Sequence, residues 1–379
     1  KINAHYFDDL VNQMKCKQKD FIDKILRTSY WKKGDIGKMK FDAVVGNPPY
    51  QEEGESTRKS PIYHLFYDSA FSISNIVSMI SPARFLFDAG QTPKAWNEKM
   101  LNDKHFKVIK YFADSKDIFE GVEIKGGIAI TLRNVKVDFD PVNVFTEYPE
   151  MNSIIKKVES HKSTNGFLNS IISSRGNYRF TDEFFEENPH LVNELGKGTG
   201  NMIASNAVDK LDGIFFDQPV NDEKCIRILA RSDNQRVYKY ILSRYVIEND
   251  YIHYFNVVIT EANGTGAFGE TLSAPVILQP YEGATDTFVS VGKFKDKKEA
   301  YALLKYLKTK FCRALLSVKK GTQHTSRNVW VLVPIQDFSG SSDIDWNMSI
   351  SEIDQQLYKK YNLVEEEIAF IESKIKPMN

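Results

Sequence analysis

The chain has 379 residues, room for about two domains of ~100–200 residues each, and its 42% hydrophobic and 12% aromatic content can bury a sizeable core, which excludes a disordered chain. Fifty Lys and Arg balance fifty Asp and Glu, so net charge neither demands nor excludes a nucleic-acid partner, because a local basic face vanishes in the average. Three scattered cysteines (Cys16, Cys225, Cys312) exclude a disulfide framework and a structural zinc site; without a span-length apolar run or a secretory signal, a cytoplasmic location with no membrane partner is expected.

Residues 1–34 read as helical, with Phe7, Leu10, Val11, Met14, Phe21, Ile22, Ile25 and Leu26 at helical spacing. The chain begins without an initiating methionine, in a charged and amphipathic stretch, so further residues are expected upstream of Lys1 in the parent protein. Phe41-Asp42-Ala43-Val44-Val45-Gly46 is a short β-rich apolar run. It must stop at Asn47-Pro48-Pro49-Tyr50, because prolines have no N–H to give a central strand. After a polar loop over 51–60, the spacing predicts a helix over Pro61–Phe71, a strand over Ile76–Ile80 and a helix over Pro93–Leu101. Strands follow over Phe106–Phe112 and Gly127–Leu132. Strands alternating with helices indicate βαβ units and a mainly parallel sheet. Beyond about residue 150 the alternation is lost. Helical stretches (Met151–Ser160, Glu299–Ser317) mix with β-rich runs (Tyr254–Thr260, Val276–Leu278, Val329–Val333), and the end is helical over Ser351–Tyr361 and Glu365–Ile375.

Asn47-Pro48-Pro49-Tyr50 falls at the C-terminal end of a predicted parallel strand, the edge where open α/β sheets build their sites. The alternative is a proline-rich turn that merely caps a strand. An exocyclic amine such as that of adenine is a poor nucleophile, because its lone pair is delocalised into the ring. Two acceptors are needed to hold its N–H bonds while the nitrogen becomes tetrahedral. The Asn47 side-chain oxygen and the Pro48 carbonyl suit that task, and fixed proline φ angles aim the carbonyl. Tyr50 offers a flat face to a base drawn out of a duplex.

Residues 41–50 resemble the catalytic motif, with its strand, of the DNA amino-methyltransferases that modify adenine in bacterial restriction-modification systems. Phe119-Glu120-Gly121-Val122-Glu123-Ile124-Lys125-Gly126-Gly127-Ile128 resembles the later motif of that family, whose aromatic packs against the flipped base; by this resemblance Phe119 is a second base-contacting residue. Phe119 can equally be an ordinary core phenylalanine. The resemblance implies S-adenosylmethionine as cofactor, double-stranded DNA as partner, and a fused or separate restriction nuclease. The implied fold is α/β: a Rossmann-like methyltransferase sheet over 1–160, lacking its N-terminal cofactor-loop part, then an α+β target-recognition domain over 161–379. Thr309-Lys310-Phe311, Thr322-Gln323-His324-Thr325 and Ser342-Asp343-Ile344-Asp345-Trp346 resemble phrases of such C-terminal specificity domains. One departure stands out: no glycine-rich cofactor loop precedes Asn47. Glu261-Ala262-Asn263-Gly264-Thr265-Gly266-Ala267-Phe268, after an apolar run, is the one superficial match, and would require a permuted motif order.

Lys293 to Arg327 holds eleven Lys or Arg against two acids, whereas Asp337 to Glu372 holds nine acids against two lysines. The expectation is a helix packing through Ala300, Leu303, Leu304, Leu307 and Phe311 while Lys305, Lys308, Lys310 and Arg313 meet phosphates. Lys319, Lys320 and Arg327 continue the patch around Gln323, His324 and Thr325, which can reach base edges. The plainer reading is a solvated face balanced by the acidic tail. Two rival functions remain. One is a noncatalytic DNA-specificity module. The other is a metal-dependent nuclease using Asp117, Glu123 and Lys125.

Overall fold

The computed structural model describes residues 7, 9–31, 41–52, 60–87, 91–119, 124, 126–162, 166–195, 200–320 and 322–378. The chain divides into two compact units, Lys1–Asn152 and Ser153–Asn379.

The first unit opens with α1 (Leu10–Cys16), α2 (Gln18–Ile25) and α3 (Thr28–Trp31). Met14, Phe21 and Ile25 bury themselves against Leu65, Phe66 and Ile73 of α4 (Tyr63–Ile73). The Gln18 side-chain amide donates to the Leu65 carbonyl and to Ser69 Oγ, both at 2.9 Å, and so fastens α2 to α4. Four strands form the sheet: β1 (Val44–Gly46), β2 (Ile76–Pro82), β3 (Phe106–Phe112) and β4 (Ile128–Asn134), in spatial order β1-β2-β4-β3. β1 pairs parallel with β2, Gly46 opposite Met79, and α4 makes the crossover. α5 (Lys94–Leu101) lies between β2 and β3 in sequence. β4 is antiparallel to both β2 and β3.

The expectation of a mainly parallel sheet is therefore corrected. β1, β2 and β3 run the same way, each pair joined through a helix, but β4 fills the slot between β2 and β3 in the opposite sense. The reason lies in the β3–β4 connection, where the described residues hold only a 3-10 turn, Ser115–Asp117. A parallel return needs a crossover of a dozen or more residues, usually helical. Gly127 makes the reversal possible: its φ is +75°, and a Cβ there would lie 2.3 Å from the Phe112 carbonyl. Beneath α4 and α5 the core gathers Tyr63, Tyr67, Val77, Met79, Phe85, Trp96, Met100, Phe106 and Ala129.

The division between units falls inside α6 (Pro149–Ser160). The second unit adds α7 (Asp182–Glu187), α8 (Ala207–Lys210) and two three-stranded sheets. One has the order β6 (Gln235–Leu242), β5 (Cys225–Ser232), β9 (Glu282–Ala284). The other has β10 (Phe288–Phe294), β7 (Phe255–Thr260), β8 (Val276–Leu278). Ile228, Leu229, Ile241, Val258 and Leu278 share one core with Phe180 and Phe184, whose rings stack at 4.1 Å. The unit closes with α9 (Lys297–Lys308), α10 (Lys310–Lys319), α11 (Ile350–Lys360) and α12 (Glu365–Lys374).

Two expectations for this unit are corrected. The single helix read over Glu299–Ser317 is two helices, broken at Thr309, whose extended backbone ends α9 while its hydroxyl accepts the Cys312 N–H and caps α10. The β-rich run Val329–Val333 is no strand; a 3-10 turn over Arg327–Trp330 leads into it, and Trp330 is fully buried with its indole N–H on the Thr325 carbonyl. A short run that is apolar on every side looks the same whether buried as strand or as turn.

Candidate active site

β1 ends where the prolines begin. Asn47 is exposed, Pro48 is buried and Tyr50 is half-buried. The segment is pinned from below, because Ile62 N–H donates to the Tyr50 carbonyl at 3.2 Å and Gln51 bridges Pro61. Since β1, β2 and β3 run in one direction, their C-terminal ends share one edge of the sheet. Asn47–Tyr50 follows β1 there, the 3-10 turn Arg84–Phe87 follows β2, and the turn leading to Phe119 follows β3. Phe119 is half-buried, and its N–H bonds the Ser115 carbonyl at 2.9 Å.

Several features of this edge escaped the sequence reading. Phe87, Tyr111 and Phe145 form a T-shaped trio with ring centroids 5.4–5.6 Å apart, from positions too distant in sequence to share a period. Tyr67 of α4 bonds Ser81 Oγ on β2 at 3.0 Å and Thr131 Oγ1 on β4 at 2.7 Å, and burial pushes its phenol up to about 12. Two buried polar atoms beside this network have no hydrogen-bond partner among the described residues: the Tyr50 hydroxyl and His64 Nδ1. Burial raises the Tyr50 pKa and lowers that of His64, the latter against the opposing pull of Asp68.

The glycine-rich match in the second unit does not fit a cofactor. It follows β7, but β7 is antiparallel to both its neighbours, so no parallel strand feeds the loop. Its amides are also taken. The Glu270 carboxylate accepts Thr265 N–H at 2.9 Å, Gly266 N–H at 3.1 Å and Thr265 Oγ at 2.6 Å, with Lys320 Nζ at 3.4 Å. Gly264 (φ +63°) lies so close that a Cβ would meet Glu270 Oε2 at 2.1 Å. The loop is an anion nest filled by the chain's own glutamate. The permuted motif order is accordingly withdrawn.

Comparison with known proteins bears on the same edge. Residues 1–119 match the family of Eco57I restriction-modification methylases. A stretch of 101 residues is 36% identical to a protein of Mycoplasma pneumoniae described as an uncharacterized adenine-specific methylase, covering 25% of this chain and 24% of that one. Among solved structures, the type IIG restriction endonuclease BpuSI aligns over 98% of this chain and 53% of its own, at 12% identity and a TM-score of 0.31. The type IIL restriction-modification enzyme MmeI, in complex with DNA, aligns over 88% and 56%, at 10% identity and a TM-score of 0.34. The chain thus spans about a quarter of the sequence relative and little more than half of either structure. The methylase match covers Asn47–Tyr50 and reaches Phe119.

Outside the methylase segment, Lys305, Lys310, Arg313, Lys320 and Arg327 are held by acceptors of the chain itself, which corrects the phosphate-binding role expected of these five, whereas Lys293, Lys295, Lys297, Lys298 and Lys319 of the same basic run are exposed. Lys305 Nζ caps the carbonyls of Trp346, Asn347 and Met348 at 2.8–3.1 Å. Lys310 pairs with Glu372, and its own N–H bonds Asp354. Arg313 is 1% exposed and donates to the Lys308 and Glu270 carbonyls. Lys320 is buried on Glu270 and the Asn263 carbonyl, and Thr325 is buried with its hydroxyl on the Thr260 carbonyl. Arg327 Nε holds the Asn169 carbonyl, while Lys308 is half-buried. Lys319, Gln323 and His324 remain exposed, the last with Nδ1 3.1 Å from Glu261.

Asp117 of the nuclease reading sits in the 3-10 turn after β3, and Glu123 and Lys125 lie outside the described residues. Among the described residues no cluster of three His, Cys, Asp or Glu is placed to hold a metal, and no helix is long and apolar enough to cross a membrane.

Proposed function

We propose that this chain carries the base-accepting part of an adenine-specific DNA methyltransferase of a restriction-modification system. The observation that carries the reading is the placement of Asn47–Tyr50. The segment lies inside the stretch matched to methylases, at the C-terminal end of a parallel strand, on the same sheet edge as Phe119.

In this reading the Asn47 side-chain oxygen and the Pro48 carbonyl accept the two N–H bonds of the 6-amino group of a flipped adenine. They favour the tetrahedral nitrogen that attacks, because both acceptors are fixed before the reaction begins. Tyr50 and Phe119 sandwich the base, replacing the stacking lost on leaving the duplex. S-adenosylmethionine, when bound, supplies the electrophilic methyl group. Its glycine-rich cradle is not found among the described residues, so none of them is assigned to it. β1 is an edge strand, with no strand beyond it among the described residues, and the strands of a cofactor-binding segment would pair along that edge. The second unit takes the role of target recognition on double-stranded DNA, with a restriction nuclease, fused or separate, acting on the same sites in the cytoplasm.

The test uses the full-length protein, tritiated S-adenosylmethionine and unmethylated bacterial DNA. Labelled methyl groups should accumulate in the DNA. DNA that stays unlabelled across many sequences would leave a noncatalytic specificity module as the better account.

A further inference from the structure

The β5–β6 hairpin turns through Asp233 and Asn234, both left-handed at φ +47° and +62°. A two-residue turn of this kind fixes strand register. Here it sets Ser232 opposite Gln235 and Arg231 directly opposite Arg236. Directly opposed residues have Cβ atoms roughly 5 Å apart, and like charges in that position repel. The other arginines of the second unit each find an acceptor within the chain.

The second unit holds eight arginines. Arg175 bonds Asp286, Arg179 bonds Asn201, Arg227 bonds Glu282 and Arg244 meets three glutamates. Arg313 and Arg327 donate to carbonyls. Among the described residues Arg231 and Arg236 bond no acceptor, and both are exposed. Arg236 is not a loose surface chain, since its guanidinium stands 5.8 Å from the centre of the Phe288 ring. Ser232, between Arg231 and the turn, is tied to Asp209 at 2.6 Å, which steadies the hairpin tip. Two opposed planar cations on a register-locked hairpin, with no acid between them, present a preformed fork for an oxyanion that reaches both.

We propose that Arg231 and Arg236 together grip the phosphodiester backbone of duplex DNA, so that the tip of the β5–β6 hairpin is an electrostatic anchor of the second unit. This rests on the reading of that unit as the DNA-recognition part. The fork reads no sequence; it contributes affinity and position.

The test is fluorescence anisotropy with the full chain and a random-sequence labelled duplex, titrated at several salt concentrations. The Arg231→Ala, Arg236→Ala double variant should bind about 10- to 100-fold more weakly at moderate salt and flatten the salt slope by ~2 units, one for each charge withdrawn. The double lysine variant should restore most of the slope. Because the substitution relieves a repulsion, the alanine variant should melt no lower than wild type. Wild-type binding with an unchanged slope in the alanine variant would overturn the fork and leave the recognition reading standing. Lost binding together with a lowered melting temperature would overturn the fork by marking a structural role. Wild-type chain with no salt-dependent affinity for any duplex would overturn both.

Discussion

Asn47→Ala in the full-length protein is expected to slow methyl transfer by about 100- to 1000-fold while DNA affinity changes little. The side chain is exposed at the end of β1 and no described residue makes a hydrogen bond or ion pair with it, so its loss opens no buried cavity. In the proposed mechanism its contribution belongs to the transition state, in which the adenine nitrogen gives up conjugation with the ring. There an acceptor already in place would stabilise that state without reorganising, and the Pro48 carbonyl alone would hold one N–H and leave the other to solvent. The loss should therefore appear in the single-turnover rate and not in the Kd for DNA. Single-turnover measurements with labelled cofactor decide it, and a variant within a few-fold of wild type would remove Asn47 from the chemistry.

Glu270→Ala should destabilise the second unit by about 3 kcal/mol, because it leaves the buried Lys320 ammonium with the Asn263 carbonyl and, among the described residues, no carboxylate. It also leaves the Thr265 and Gly266 amides without their acceptor. Burial works to raise the Glu270 pKa, but the bonds from Thr265, Gly266 and Lys320 outweigh it and hold the carboxyl at about 2. The folded value is below the unfolded one, so the stabilisation is complete above pH ~4.5 and is lost as pH falls toward 2. Thermal melts of wild type and variant should lie far apart at neutral pH and converge in acid. Equal melting temperatures at pH 7 would mean that the loop does not depend on its glutamate.

The sequence made some of this legible and hid the rest for physical reasons. Proline's missing N–H told where β1 must end, and that end is where the methylase match and the sheet edge coincide. Hydrophobic period located α4, β2, α5 and β3 within a residue or two, since each buries one face against the same core. Period carries no sign of strand direction, so the reversal of β4 could not be read. The basic run misled because a lysine's partner need not be near in sequence. Glu372 lies 62 residues beyond Lys310, and the Trp346 carbonyl lies 41 beyond Lys305. Thr309 looked like one more helical residue until its hydroxyl was found capping α10. The arginine pair of the hairpin was passed over because opposition across strands depends on register, which only the turn conformation fixes.

The central claim concerns which atom receives the methyl group. Full-length protein, S-adenosylmethionine with a deuterated methyl and unmethylated DNA, followed by digestion to nucleosides and mass spectrometry, reads this directly. The account predicts the label on the exocyclic nitrogen of adenine, and its absence after Asn47→Ala. Label on cytosine, or on a carbon of any base, would contradict it.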